Sequence, residues 1–503
     1  MKMYIGGEWV SSDSGETMAV ENPAIEETID TVPVGGTRDV DRAVAAARDA
    51  QPAWAAMSNL EKARYFHLFA ERLRDHQREL AELLTTEGGK PVVENMDEIR
   101  WIAEAFEFYA ELGRMHRGRV IPAQEPTVTA LVLKEPCGVV AAIVPWNYPP
   151  LLLAWKIAPA LVAGNTVVCK PPPEAPLTIL RMVELLELPP GVVNVVTGGA
   201  DVGEALVAHR GTDVIAFTGT VRAGRRVMEV AAQRIKRVNL ELSGNDPFIV
   251  CDDVDVDVAV EAALWAGFAN AGQICTSAER VYVMDGIFEP FAAKLSERAS
   301  QLRVGNPLDL DTDIGPLATR AQLDHIVDYV KQAEASGAVV RTGGRRPDRD
   351  KGYFYEPTVL TDLTHEHLGE LGEIFGPVMP IMPVSSFEEA IELANDSDMG
   401  LGANLLTNNL EWASRAMHEI KAGMVWINNP LVDNDAGPFG GYRMSGLGRE
   451  LGVEGLDAFM ETKHVTFDYR NENKVWYFPY SKYADEMGLK GGRKTGFVGG
   501  HVG

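Results

Sequence analysis

Cysteine is scarce in this 503-residue sequence: Cys137, Cys169, Cys251 and Cys275 are spaced neither as metal-ligand pairs nor as a secreted disulfide framework. Reduced thiols in a cytoplasmic protein are the expectation. Positive charge is also in deficit, with 47 Lys and Arg against 72 Asp and Glu, a net charge of −25. A surface of that sign repels phosphate backbones and anionic lipid, so neither nucleic acid nor a membrane is an expected partner. Long apolar runs are missing as well. The most apolar stretch, residues 151–162, is broken by Lys156 and Pro159, and the opening MKMYIGGEWV has no apolar signal core. The acidic loop at 308–313 lacks the spacing and terminal Glu of a calcium-binding hand, and no metal site is expected.

What is present is a large apolar fraction, 46%, enough for a sizeable core divided over two to four domains. The first forty residues read as short strands and turns forming an edge layer. Helical periodicity follows from Thr37, over 60–84 and over 91–112, and residues 119–134 alternate as a strand pair leaving the domain would. From Gly138 short β-branched runs alternate with helical ones: VVAAIV (139–144), TVVCK (166–170), VVNVVTG (192–198), VIAFTG (214–219) and VNLEL (238–242). Helices are expected near 151–163, 176–187, 201–209 and 221–232. The pattern predicts an α/β fold with a parallel sheet covered on both faces, whose ligands sit beyond the carboxyl ends of the strands. Those ends carry Trp146, Asn147, Lys170, Thr218, Gly219, Thr220 and Glu241. A helix starting after FTGTVRAG would aim amides and a positive dipole end at a phosphate. Gly219 and Gly224 make only a GxxxxG spacing, a weak signal by itself. A second α/β region follows Cys275, and beyond Lys463 the strand HVTFDY leads to an aromatic and glycine-rich tail. Such a tail is expected to lack fixed structure unless its aromatics dock.

Chemistry concentrates between Val238 and Cys275, where Glu241 ends an apolar strand and Cys275 sits among small residues. A thiol that attacks a carbonyl needs a proton acceptor, open approach and oxyanion donors. Taken singly, a strand-end Glu is more often half of an ion pair, and a lone Cys more often core. Their shared setting favours catalysis.

The ordered motifs PWNYP, KPPPEAPLT, FTGTVRAG, LELSG, AGQIC, EIFGPV and PFGGYRMSGLGRE resemble those of the aldehyde dehydrogenase superfamily over residues 5–468. The resemblance implies a Rossmann-like cofactor domain (1–118 and 137–243) and a catalytic domain (244–445). It also implies a small strand-bearing oligomerisation domain (119–136 and 446–470), with a separate tail (471–503), in a homodimer or homotetramer. It implies oxidation of a small-molecule aldehyde with NAD or NADP. Cys275 would be the nucleophile, Asn147 the oxyanion donor together with the Cys275 amide, and Glu241 the base that activates water. Lys156 and Glu450 would relay the proton. Lys170 and Glu373 would contact ribose, Phe375 would pack near the nicotinamide, and Gly219 with Thr220 would approach the pyrophosphate. Trp146, Phe217, Thr218 and Leu242 would complete the cofactor site. Water rather than coenzyme A is the expected acyl acceptor, because hydrolysis is the step that needs Glu241.

One departure concerns the cofactor. Where members often have a carboxylate three residues after the lysine, this sequence has Pro173, with the acid displaced to Glu174. That loosens the expected preference for NAD over NADP, and Arg222 is a candidate partner for a 2′-phosphate. Members that act on carboxylated semialdehydes hold the carboxylate with arginines at places occupied here by Trp155 and Ala269. The pocket also draws on Tyr148, Leu152, Phe268, Ile274 and Thr276, so neutral aliphatic or aromatic aldehydes are expected, with betaine aldehyde as the alternative. A non-catalytic binding protein on the same fold is the other alternative, weakened by Cys275, Glu241 and Asn147 occurring together.

Overall fold

Five apolar runs become the centre of an eight-stranded sheet, and each lies buried because helices cover both faces. The computed structural model describes residues 1–115, 118–474 and 476–489. Its sheet order is Gly446–Leu447, Arg237–Glu241, Val214–Thr218, Val139–Ile143, Thr166–Lys170, Val193–Val195, Met3–Ile5 and Glu8–Val10. The strands from Arg237–Glu241 to Val193–Val195 are parallel, with Thr218 opposite Glu241 and Ile143 opposite Lys170. Their carboxyl ends therefore lie at one edge. Met3–Ile5 adds antiparallel to Val193–Val195, and Gly446–Leu447 adds antiparallel at the other end, opposite Leu240 and Glu241.

A second, seven-stranded sheet runs Val339–Thr342, Thr358–Thr361, Val378–Val384, Ala278–Met284, Asp246–Val250, Asn404–Leu406 and Trp426–Ile427. The two sheets build separate apolar clusters, and the α/β class with a parallel sheet covered on both faces is as expected. Helix Pro149–Ala163 is buried along its whole length; Pro149 and Pro150 open it, and Gly164 ends it with left-handed φ 101. Helix Val221–Ala232 begins on Thr220, whose hydroxyl accepts the Ala223 amide at 3.3 Å.

Three expectations change. The stretch 60–84 is two helices, Asn59–Asp75 and Gln77–Gly88, with His76 leaving helical geometry at φ −106 and ψ 12. Residues 446–460 fall in the larger compact unit, Met1–Met115 with Pro136–Met460, because Gly446–Leu447 pairs with the Glu241 strand. The smaller unit, His116–Glu135 with Glu461–Gly503, has the three-stranded sheet Met460–Asp468, Val128–Pro136 and Arg119–Ile121. Its tail contains a short helix, Tyr480–Glu486, and the rest of the expected tail, from 490 on, lies outside the described residues. Among the described residues no helix is long and apolar enough to cross a membrane, and no group of acids, histidines or cysteines is arranged to hold a metal.

Candidate active site

Cys275 stands in the loop between the turn Ala269–Gly272 and strand Ala278–Met284. It meets the end of strand Arg237–Glu241 only because Gly244 has no side chain, since a Cβ there would lie 2.1 Å from the Cys275 carbonyl oxygen. The thiol is half-buried. Burial, and next the Glu241 carboxylate, push it well above the usual thiol range.

Glu241 is 2% exposed, and neither of its oxygens completes a hydrogen bond of ordinary geometry. Burial raises its carboxyl to about 8, with Glu450 adding to the rise and Lys156 opposing it. The Cys275 thiol and Thr218 hydroxyl are near enough to pull it back only in part. Thiol and carboxyl thus each bear on the other's titration, the carboxylate raising the thiol and the thiol lowering the carboxyl. Lys156 Nζ donates to Glu450 Oε1 at 2.5 Å and to Thr218 Oγ1 at 2.6 Å. Glu450 comes within reach because the Gly446–Leu447 strand pairs with the end of the Glu241 strand.

Asn147 lies just before helix Pro149–Ala163. Its Nδ2 donates to Gln273 O at 3.1 Å, which leaves the second N–H for an oxyanion, while its buried Oδ1 has no partner.

Three cavities converge here. One, of about 270 Å³, is lined by Asn147, Tyr148, Leu152, Trp155, Ile274, Cys275 and Thr276, all expected at a substrate. Phe268 is not among its walls: the chain leaves the helix there, at φ −122 and ψ −10, and the ring packs in the core of the second sheet. Trp265, one turn earlier, lines the cavity instead. Sequence reasoning also missed Trp101, Glu104, Asp433, Asp435 and Phe439 in this lining. The i, i+3 spacing of Trp101 and Glu104 on helix Val92–Met115 was the available signal. Asp435 is raised to about 6 by burial and then by Glu104, and Asp433 to about 7 by burial and then by Asp435. Asp433 nonetheless keeps an exposed surface, so water softens that repulsion.

A second cavity, of about 380 Å³, is bounded by Trp146, Asn147, Thr218, Gly219, Thr220, Glu241, Leu242, Cys275, Glu373 and Phe375, with Gln322 and His325 as additions. The third, of about 360 Å³, is bounded by Trp146, Lys170, Pro173, Glu174, Phe217 and Thr218. The eleven residues expected at a cofactor thus divide between two cavities joined at Trp146 and Thr218, with Lys170 and Glu373 in different ones. Trp146 meets Phe375 edge-on, ring centroids 5.5 Å apart. Burial raises Glu373 to about 7, against the pull of Ser243 and Gly244. The arrangement fits a dinucleotide. Lys170 is buried with the Pro171 carbonyl as its acceptor at 3.1 Å, keeping N–H groups for a ribose, and the Val221–Ala232 helix starts at the wall between the cavities. The guanidinium lining the third cavity belongs to Arg226, not Arg222, and it is paired with Glu204 at 2.5 Å.

The aldehyde dehydrogenase family model matches residues 9–465. The chain is 40% identical to glutarate-semialdehyde dehydrogenase of Pseudomonas putida, over 92% of this chain and 96% of that protein. It is 39% identical to betaine aldehyde dehydrogenase of Bacillus subtilis, over 93% and 97%, and 39% identical to the chloroplastic aminoaldehyde dehydrogenase ALDH10A8 of Arabidopsis thaliana, over 95% and 98%. A crystal structure of betaine aldehyde dehydrogenase from Staphylococcus aureus in complex with NAD+ superposes with a TM-score of 0.92 at 36% identity, covering 95% of this chain and 96% of that one.

Proposed function

Because the chain belongs to the aldehyde dehydrogenase family and is an NAD-dependent enzyme that oxidises aldehydes, we propose that its preferred substrates carry a cation a few bonds from the carbonyl. The observation behind this reading is the set of three carboxyl groups, Glu104, Asp433 and Asp435, in a cavity that, among the described residues, no Lys, Arg or His lines. Trp101, Tyr148, Trp155, Trp265 and Phe439 supply aromatic faces that attract an ammonium group. Burial is the main cause that raises Asp433 and Asp435, and a bound cation would offset it along with the smaller repulsion between the acids. Neutral aldehydes were expected from an apolar wall, but they leave these acids without a partner. The glutarate and succinate semialdehydes in the names of two relatives end in a carboxylate, which would meet like charge and no cation here.

In the same reading Cys275 Sγ attacks the aldehyde carbon, and the oxygen is held by Asn147 Nδ2 and the Cys275 amide. NAD, held by Lys170, Glu373 and the start of the Val221–Ala232 helix, supplies the acceptor for the hydride. Glu241 then takes a proton from the water that cleaves the thioester, and Thr218, Lys156 and Glu450 carry it away. The larger unit would divide into the cofactor domain and the catalytic domain, each with one sheet. The free thiols support a cytoplasmic location, and the exposed strand Met460–Asp468 supports assembly into a dimer or tetramer, to be read from the native mass.

The test is kcat/KM with NAD for 4-aminobutanal, betaine aldehyde, hexanal, benzaldehyde and succinic semialdehyde. The two cations should exceed hexanal by about tenfold or more, a difference of roughly 1.4 kcal/mol, with the semialdehyde slowest. If hexanal or benzaldehyde leads, the acids are mouth residues only and the neutral-aldehyde reading stands.

A further inference from the structure

Behind the two catalytic loops lies a layer of charge that the chemistry above does not use. Helix Val92–Met115 carries Glu94 and Glu98 four residues apart, and so on one face. Glu98 Oε1 accepts the Leu151 amide at 3.2 Å, in the first turn of the helix after Asn147, and Glu98 Oε2 pairs with buried Lys90. The Lys90 ammonium in turn stands 3.4 Å from the centre of the Tyr148 ring. Glu94 Oε2 accepts the Asn270 amide at 2.9 Å.

Asn270 is the junction of the site. Its Nδ2 donates to Asn147 O and to Gln273 O, each at 3.2 Å, and Gln273 O also receives the Asn147 side chain. Its backbone is costly, since Asn270 and Ala271 both have left-handed geometry, φ 49 and 53, which a residue with a Cβ adopts only when neighbours hold it there. The bond from Asn270 to Glu94 reaches the Asn270 backbone amide from outside the two loops, while the Gln273 side chain, which donates to Asn270 O and accepts the Ala318 amide, ties the carbonyl side of the same residue.

We infer that Glu94 is a positioning residue: by accepting the Asn270 amide it holds the nucleophile loop in its left-handed turn, and so sets the Cys275 thiol against the Asn147 amide. This rests on the reading of Cys275 as nucleophile. Glu94 touches neither of the reacting groups, and the acceptor atom is what matters, not the charge.

Glu94→Gln keeps an acceptor of nearly the same length, whereas Glu94→Met fills the space without one. The measurement is single-turnover formation of the acyl adduct from hexanal and NAD, mapped to Cys275 by mass spectrometry, with NAD affinity and Tm read in parallel. Acylation should slow at least about tenfold in Glu94→Met and stay within about threefold of wild type in Glu94→Gln, while both bind NAD as wild type does. Ala271→Gly added to Glu94→Met should recover several-fold, because glycine adopts the left-handed turn without help. Should Glu94→Met not fold, Glu94→Asp, one methylene too short for the contact, takes its place. Equal rates in the Gln variant and its acceptor-less counterpart overturn the inference, as does a loss that tracks NAD affinity. No adduct on Cys275 in the wild-type protein overturns the cysteine reading itself, and this one with it.

Discussion

Lys156 and Glu450, 294 residues apart in sequence, form an ion pair in which neither side chain is more than 2% exposed. The pair acts on Glu241 with opposite signs: Glu450 raises its pKa and Lys156 lowers it. Lys156→Met should therefore move the acid limb of the pH profile for thioester hydrolysis upward from about 8. Glu450→Gln should move it downward, each by about half a unit or more. Limbs that move together would show that Glu241 does not sense the pair.

Glu241→Gln separates chemistry from stability. Without the base, turnover should fall about a hundredfold or more after a burst of NADH, leaving an acyl group on Cys275. Stability should move the other way. The folded carboxyl holds its proton to about 8, whereas the ordinary value is 4.5. The folded state thus binds the extra proton between those values, and stability falls as pH rises through that window. The Gln variant lacks this loss, so its melting temperature should exceed that of wild type by about 2 °C or more at pH 8.5 and match it near pH 4. Equal melting temperatures at both pH values would mean that Glu241 titrates normally.

Such a base is legible in sequence because a strand buried on both faces is an unbroken β-branched run, and a carboxylate at its end stands out. The runs ending at Lys170 and Thr218 have that form, while Val238 to Leu242 is a looser version in which Val238, Leu240 and Leu242 alternate with Asn239 and Glu241. Glu450 was reached only through resemblance, since nothing local marks a residue that arrives by pairing Gly446–Leu447 with a strand two hundred residues earlier. The break at His76 left no trace because neither Gly nor Pro stands there. Asp433 and Asp435 stand in a loop and Glu104 on a helix more than three hundred residues away, with no local pattern that joins them. Only the tertiary fold brings the three to one mouth.

The cofactor cavity predicts measurable use of NADP beside NAD. Pro173 offers no charge against a 2′-phosphate, and Arg226 lines the same cavity while tied to Glu204. Both partners are more than half exposed, so the pair is weak and the guanidinium can exchange partners. Glu204→Gln should lower KM for NADP several-fold and leave KM for NAD nearly unchanged, and Pro173→Glu should do the reverse to NADP. If NADP is neither reduced nor competitive in wild type, Glu174, which lies in the cavity beside Lys170, is the group that excludes it.

The acids of the substrate cavity give the most direct mutational test of substrate class. Asp435 is half-buried, raised to about 6 first by burial and then by Glu104, and Asp433 is raised in turn by Asp435. Each acid therefore makes its neighbour harder to ionise until a cation arrives. Asp435→Asn keeps the volume and removes one charge from the middle of the set, so KM for 4-aminobutanal should rise about tenfold while kcat changes little, because the lost attraction is felt equally before and during reaction. KM for hexanal should stay the same or fall, since the cavity becomes less polar. The pH dependence carries the matching sign. A cationic substrate needs ionised acids, so KM for 4-aminobutanal should fall as pH rises through about 6 to 7 in wild type, and this dependence should flatten in Asp435→Asn. Hexanal should show no such trend in either protein. If the variant raises both KM values alike, Asp435 shapes the mouth and does not read charge, and the cation must be sought at Glu104 or along the aromatic wall of Trp101 and Trp265.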